Sequence, residues 1–302
     1  YVLSLDVEHY FGNIQKMRKH LETDRQILWV TYYRNLYNAT HPSEINSPVS
    51  LSRNLLAWNQ PGTNGLILPV NPSASFLSIL FANELWFTLG DMTMAEHCAM
   101  LSMIFSPRNS GSRMIKRLAE INLVNGDDEA ALKYLRILDK TLLHKSWAEK
   151  RIPGQQTPRV KEWLEKKRRD IPTQDQLRSG NDAVTSLRNL VASNAGNLRA
   201  YEYLLCYHLL SKDLRSFVED YVPGKVSSPI FAEALLIHLA RQGNIRAEEL
   251  IKYQIPVEIA KEFADYTRIY EAKDTSLKEK YGKTYWFYYH FATTEPGKES
   301  KP

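Results

Sequence analysis

Two short turns, Gly90–Asp91 and Gly126–Asp127, constrain this chain more than any other feature, because each is bracketed by apolar segments of helical period. A glycine that ends a helix takes the left-handed conformation that a side chain resists. An aspartate close after it can cap the next helix, and at the second turn Asp127 or Asp128 can do so. Glycine followed by aspartate therefore predicts a helix hairpin at each place. Around the second turn, in the run from Arg117 to Trp147, Leu118 and Ala119 precede the glycine. Ala130, Ala131, Leu135 and Leu138 form the apolar face that follows, and Ala131 is small enough to let two helices approach closely. Around the first turn, Trp86 precedes Gly90, Ala95 follows it, and Pro107 is placed to close the second helix.

The two turns recur at a spacing close to the period of about 34 residues of a tetratricopeptide repeat. Weaker copies turn at Lys212–Asp213 and Gly243–Asn244, and Gly12–Asn13 has the same look. No segment shows the strict alternation of a half-buried strand. The expected fold is all-α, a tetratricopeptide-like α-α superhelix. Two stretches break the rhythm. Asn59–Ser75 is dense in turn residues and reads as a functional loop or as a cover for an apolar edge, given Leu66, Ile67 and Leu68. Arg151–Asn181 is charged and separates two halves of the array. The expected organisation is N-terminal repeats over 1–150, a charged linker or insertion over 151–181, and C-terminal repeats with an aromatic end over 182–302, as one continuous solenoid.

With 302 residues, 43% hydrophobic and 24% charged, the chain is long and apolar enough to bury a sizeable core. The longest apolar-rich stretch, Phe76–Leu89, is broken by Asn83 and Glu84 and is shorter than the about 20 residues a membrane span needs. The chain begins at Tyr1 without an initiator methionine or a secretory leader pattern, which reads as a piece of a longer protein. Cys98 and Cys206 lie in apolar helical patterns, where a free cysteine behaves as a small hydrophobe. The net charge of +5 favours anionic surfaces without naming one.

Three segments carry a resemblance. The run from Lys116 to Leu142, NLRAYEYLLCYHLLSKDL from Asn197 to Leu214, and YGKTYWFYYHF from Tyr281 to Phe291 resemble the C-terminal soluble part of an uncharacterised Bacteroidota family of multi-spanning membrane proteins. The resemblance implies a block of membrane helices upstream and a membrane-associated setting, on the periplasmic face by analogy with membrane glycosyltransferases. It transfers no catalytic residue.

Chemistry-bearing motifs are sparse. His97, His144, His208 and His238 have no metal-ligand spacing, and no nucleophile elbow, phosphate loop or dinucleotide fingerprint occurs, so neither a metal nor a cofactor is implied. Folding could bring Glu84 and Glu120 into one groove, although such carboxylates are usually solvated. Lys166, Lys167, Arg168 and Arg169 are candidates for contact with an anionic surface, with lipid favoured over nucleic acid; the simpler reading is a solvated helix face laced by Glu162 and Glu165. Tyr285, Trp286, Tyr288 and Tyr289 are candidates for ligand binding, since aromatic side chains suit a sugar or peptide platform. The simpler reading of these is a terminal segment that folds back to cover the last repeat. The expected function is a non-enzymatic interaction domain for a peptide, a protein segment or its own membrane region, with a glycan-binding or glycan-processing accessory domain as the alternative. Tryptophans with converging acids would favour the sugar, and a groove lined by Asn, Lys and Arg would favour the peptide.

Overall fold

The computed structural model describes residues 76–105, 111–173 and 183–291. The Gly12–Asn13 turn, the Asn59–Ser75 loop, Pro107 and the end of the 151–181 stretch lie outside the described residues. All regular structure among the described residues is α-helical. In chain order the helices are α1 Phe76–Leu89, α2 Met92–Phe105, α3 Ser112–Asn125, α4 Asp128–Asp139, α5 Lys145–Glu149, α6 Pro158–Arg168 and α7 Ala183–Ser193. They continue as α8 Leu198–Leu210, α9 Leu214–Asp220, α10 Pro229–Arg241, α11 Ala247–Lys252, α12 Val257–Glu271, α13 Leu277–Tyr281 and α14 Tyr285–Phe291. The described residues fall into two compact units, one up to Tyr201 and one from Glu202 onward, with the division inside α8. Residues 151–173, expected to lie in a linker, belong to the first unit, where α6 packs on α3.

The turns form as their local chemistry dictates. Gly90 and Gly126 have φ of 92° and 82°. Asp91 Oδ1 accepts the Met94 N–H at 2.9 Å, and Asp127 Oδ1 accepts the Ala130 N–H at 2.9 Å. The amides of the same aspartates reach back to the carbonyls of Trp86 and Asn122, which satisfies acceptors that each preceding helix would leave open. Lys212 and Asp213 repeat the arrangement: Lys212 has φ 57°, the Asp213 N–H donates to the His208 carbonyl, and Asp213 Oδ1 accepts the Ser216 N–H at 3.0 Å. At the fourth turn Gly243 has φ 63° and the Asn244 N–H donates to the Leu239 carbonyl.

In the first unit every residue of α1 from Ala82 to Leu89 is buried. A helix apolar on all sides sits inside its unit, and its few polar groups must find internal partners. Asn83 donates to the Ala95 carbonyl at 2.6 Å and accepts from Arg117 Nε at 3.2 Å. Glu84 is held by Arg113 at 3.2 Å and by Arg117. One apolar cluster joins Ala99, Met114 and Leu118; another joins Ala119, Leu135, Leu138 and Ala148. Ala131 is fully buried and Ala130 half-buried, as the amphipathic pattern of α4 predicts. Cys98 and Cys206 are buried free thiols.

The open carbonyl ends of helices are met by side chains from distant elements. Asn197 Nδ2 donates to the Leu89 carbonyl at 2.7 Å and to the Asp170 carbonyl at 2.8 Å, while its Oδ1 accepts the Ala200 N–H at 3.0 Å. One buried side chain thus closes α1 and opens α8. In the second unit α10 is the enclosed helix, with eight buried apolar residues from Ile230 to Leu239. The aromatic α14 packs on it. The Tyr285 and Tyr288 hydroxyls donate to the Leu209 and Leu210 carbonyls, each at 2.8 Å, at the end of α8.

Candidate functional site

A cavity of the first unit, with a volume of about 660 Å³, lies between α5 and α6. Trp147, Lys150 and Arg151 line it from α5 and its exit, and Arg159, Val160 and Trp163 line it from α6. Pro158 at the first turn and the buried Val160 and Leu164 fix the rotation of α6. Ala148, packed with Leu135 and Leu138, does the same for α5.

Cations and rings alternate in and behind the wall, where Lys116, Arg117 and Phe87 back the lining residues. The Lys116 ammonium lies 5.0 Å from the centre of the Trp147 ring, and the Arg151 guanidinium 4.1 Å from the same centre and 6.0 Å from that of Trp163. Trp163 stacks on Phe87 at 6.2 Å, and the Arg117 guanidinium lies 3.8 Å from the Phe87 ring centre. Each such cation–ring contact contributes about 0.5–2 kcal/mol and fixes both groups in place. Burial pulls the Lys116 ammonium and the Arg151 guanidinium below their ordinary values, with Glu120 opposing in both cases. Arg151 Nε is buried without a hydrogen-bond partner, while Nη1 donates to the Trp147 carbonyl at 3.3 Å. Among the described residues, no carboxylate lines the cavity.

Glu84 and Glu120 do come together, through Arg117, which binds Glu84 by Nη2 and Glu120 by Nη1 at 3.0 Å. Both are tied to a guanidinium, so the pair is arranged as a structural ion network and not as an acid and base about a substrate. The hydroxyls of Ser146 and Thr157 at the cavity have no histidine or carboxylate among their lining neighbours. What the wall can do chemically is bind: two indole faces for flat or apolar groups, and three cations for anions.

The other sequence candidates fall elsewhere. The Lys167 ammonium lies 3.4 Å from the Phe87 carbonyl, in the last turn of α1, and 4.8 Å from the Phe87 ring centre. Burial, and then Arg199 and Arg117, bring its pKa down to about 8. Arg168 donates to the Leu123 and Val124 carbonyls at 2.8 and 3.0 Å, at the end of α3. A cation at a helix C-terminus meets both open carbonyls and the negative end of the helix dipole. Lys166 and Arg169 are exposed.

Tyr285 and Trp286 are fully buried, Tyr288 is 8% exposed, and Tyr289 is half-buried with its hydroxyl accepting from Arg241 at 2.7 Å. Trp286 sits among Phe263, Tyr266 and Tyr281 at ring separations of 5.3–5.9 Å, and its Nε1 donates to the Glu233 carbonyl at 3.0 Å. The Glu233 carboxylate accepts the Tyr285 N–H at 2.5 Å, and burial raises its pKa to about 7. Three of the four aromatic candidates are thus inside the second unit. Among the histidines, His97 is exposed, His144 is 6% exposed, His208 is buried 2.8 Å from Asp220, and His238 is half-buried. No group of three His, Cys, Asp or Glu side chains among the described residues could hold a metal ion.

Trp147, Arg151, Arg159 and Trp163 were not singled out from sequence. The available signal was local: an indole and a guanidinium stand at i and i+4 twice, in opposite order, once across the exit of α5 and once within α6. No curated protein and no solved structure matches the chain. A family of unknown function (DUF6057) matches residues 1–292, nearly the whole length, and the chain belongs to that family.

Proposed function

We propose that this chain is an interaction domain built of tetratricopeptide-like helix pairs, and that the cavity between Trp147 and Trp163 receives an acidic polypeptide segment. The observation that carries this reading is the cavity wall, which offers Lys150, Arg151, Arg159 and two indoles with no acidic residue among them. Guanidinium forks bind carboxylates in two-point fashion, and the indole faces accept the apolar parts of neighbouring peptide residues. The repeat character is supported by the recurrence of one turn, a left-handed residue followed by an aspartate that caps the next helix, at Gly90, Gly126 and Lys212. The segment could come from a partner protein or from a membrane-bound part of the same protein. The membrane setting, on the periplasmic face, is motivated by the family resemblance of the three quoted segments; no described helix is long and apolar enough to cross a membrane.

A glycan reading uses the same two indoles as stacking platforms. It calls for carboxylates converging on sugar hydroxyls, where this wall carries cations. Selection of random decapeptides on the immobilised chain tests the proposal, with Lys150→Gln/Arg159→Gln as the control because both side chains are exposed and the fold does not rest on them. Enrichment of Asp and Glu that disappears in the control is expected. No acidic bias, or the same peptides from both proteins, refutes it, and binding to neutral oligosaccharides would move the site to the glycan reading.

A further inference from the structure

A second cavity, of about 550 Å³, lies in the second unit between the start of α9 and the end of α10. Lys212, His238, Arg241 and Gln242 line it, together with Asp213 and Arg215. Three features set it apart from an ordinary charged surface. The first is the residue at its edge. Lys212 stands at φ 57°, the position that glycine fills at Gly90 and Gly126, and a side chain there is strained. Lys273 takes the same backbone position in an exposed turn, so the backbone alone does not mark a site. At Lys212 the ammonium is also directed over aromatic rings, 5.6 Å from the centre of Tyr288 and 5.8 Å from that of Tyr289.

The second feature is how the cations are held. Arg241 Nη1 donates to the Tyr289 hydroxyl at 2.7 Å, which orients the guanidinium beside the cavity. Of the acidic groups, Asp213, which lines the cavity, caps α9 by accepting the Ser216 N–H on Oδ1, and Glu219 pairs with Arg215 at 3.0 Å. The third is the partial burial of the cations. Burial, and then Arg241, lower the pKa of His238, and burial alone lowers that of Lys212.

We infer that the Lys212–His238–Arg241 cavity is a binding site for a phosphate group, carried by a small phosphorylated molecule or a lipid headgroup. The Lys212 ammonium comes from the turn between α8 and α9, and the His238 imidazole, the Arg241 guanidinium fork and the Gln242 amide come from the last turn and cap of α10; donors of this number suit the several oxygens of a tetrahedral anion better than the two of a carboxylate. The site is in a different unit from the tryptophan cavity and stands or falls apart from the peptide reading.

The test is titration of the whole chain with inorganic phosphate and, separately, with phosphatidylglycerol vesicles, following the His238 ring resonances. The variants are Lys212→Gly and Arg241→Gln. Lys212→Gly removes the cation and relieves the left-handed strain, so its urea midpoint should rise while its phosphate affinity falls at least about tenfold. Arg241→Gln should lose affinity similarly with an unchanged fold, as its side chain is exposed. A response to vesicles alone, lost in both variants, assigns the phosphate to lipid; a response to inorganic phosphate assigns a soluble source. No His238 response to either probe, or equal affinity in wild type and both variants, overturns the inference.

Discussion

Replacing Gly90 by alanine should be far more damaging than replacing Gly126, although both glycines end helices at nearly the same backbone conformation, with φ of 92° and 82°. The conformational term is common to both: a left-handed non-glycine residue costs about 1–2 kcal/mol. The surroundings differ. A Cβ on Gly126 would meet nothing within 4 Å, whereas one on Gly90 would lie 2.1 Å from the Asp170 carbonyl oxygen and 2.7 Å from its carbon. These are backbone atoms and cannot rotate aside. The Asp170 segment would have to retreat by about 1.3 Å or more to reach ordinary contact. It is tied by Asn197 to the Asp170 carbonyl and by Asn194 to the Arg169 and Ile171 carbonyls at 2.6 and 3.0 Å. Breaking two of these bonds, each with a net value of about 0.5–1.5 kcal/mol, adds about 1–3 kcal/mol. The expected loss is about 1–2 kcal/mol for Gly126→Ala and about 2–5 kcal/mol for Gly90→Ala, read from urea unfolding at fixed m-value. Equal losses for the two variants would show that the close approach of Asp170 to Gly90 is not maintained in solution.

Asn197→Ala removes a helix cap and two donors to buried carbonyls, and should cost about 2–4 kcal/mol in the same assay. Glu233 gives a pH dependence. Its folded pKa of about 7 lies above the ordinary 4.5, so between those values the folded chain holds a proton that the unfolded chain has released. Its contribution to stability is complete below pH 4.5 and is lost as the pH rises to about 7. Glu233→Gln should match wild type near pH 4.5 and exceed it by about 2–3 kcal/mol at pH 8; parallel stability curves would refute the burial of this carboxyl.

The hairpin turns were legible because their chemistry is local. A residue able to take positive φ, followed by an aspartate, specifies a stop and a start within two positions, and Gly90, Gly126 and Lys212 all obey it. The burial of Leu118, Ala119, Ala131, Leu135 and Leu138 was legible for the same reason, from the period of one helix. The partners of Lys167 and Arg168 were not. They are carbonyls 80 and 44–45 positions away, and a basic run looks the same whether it faces water or closes two helices. The tryptophan cavity was hidden likewise, since its rings stand on separate helices whose rotation is set by Ala148, Val160 and Leu164 and by no motif near Trp147 or Trp163.

The proposed role rests on the cations that line that cavity. A fluorescence titration of the chain with the most enriched acidic decapeptide from the selection, repeated with Lys150→Gln/Arg159→Gln, tests it most directly. Indole emission should change on binding, since Trp147 and Trp163 form the wall. The double variant should bind about 10–100-fold more weakly, corresponding to about 1–3 kcal/mol for two charge-assisted contacts. Equal affinity in the two proteins, with an unaltered indole signal, would contradict the account.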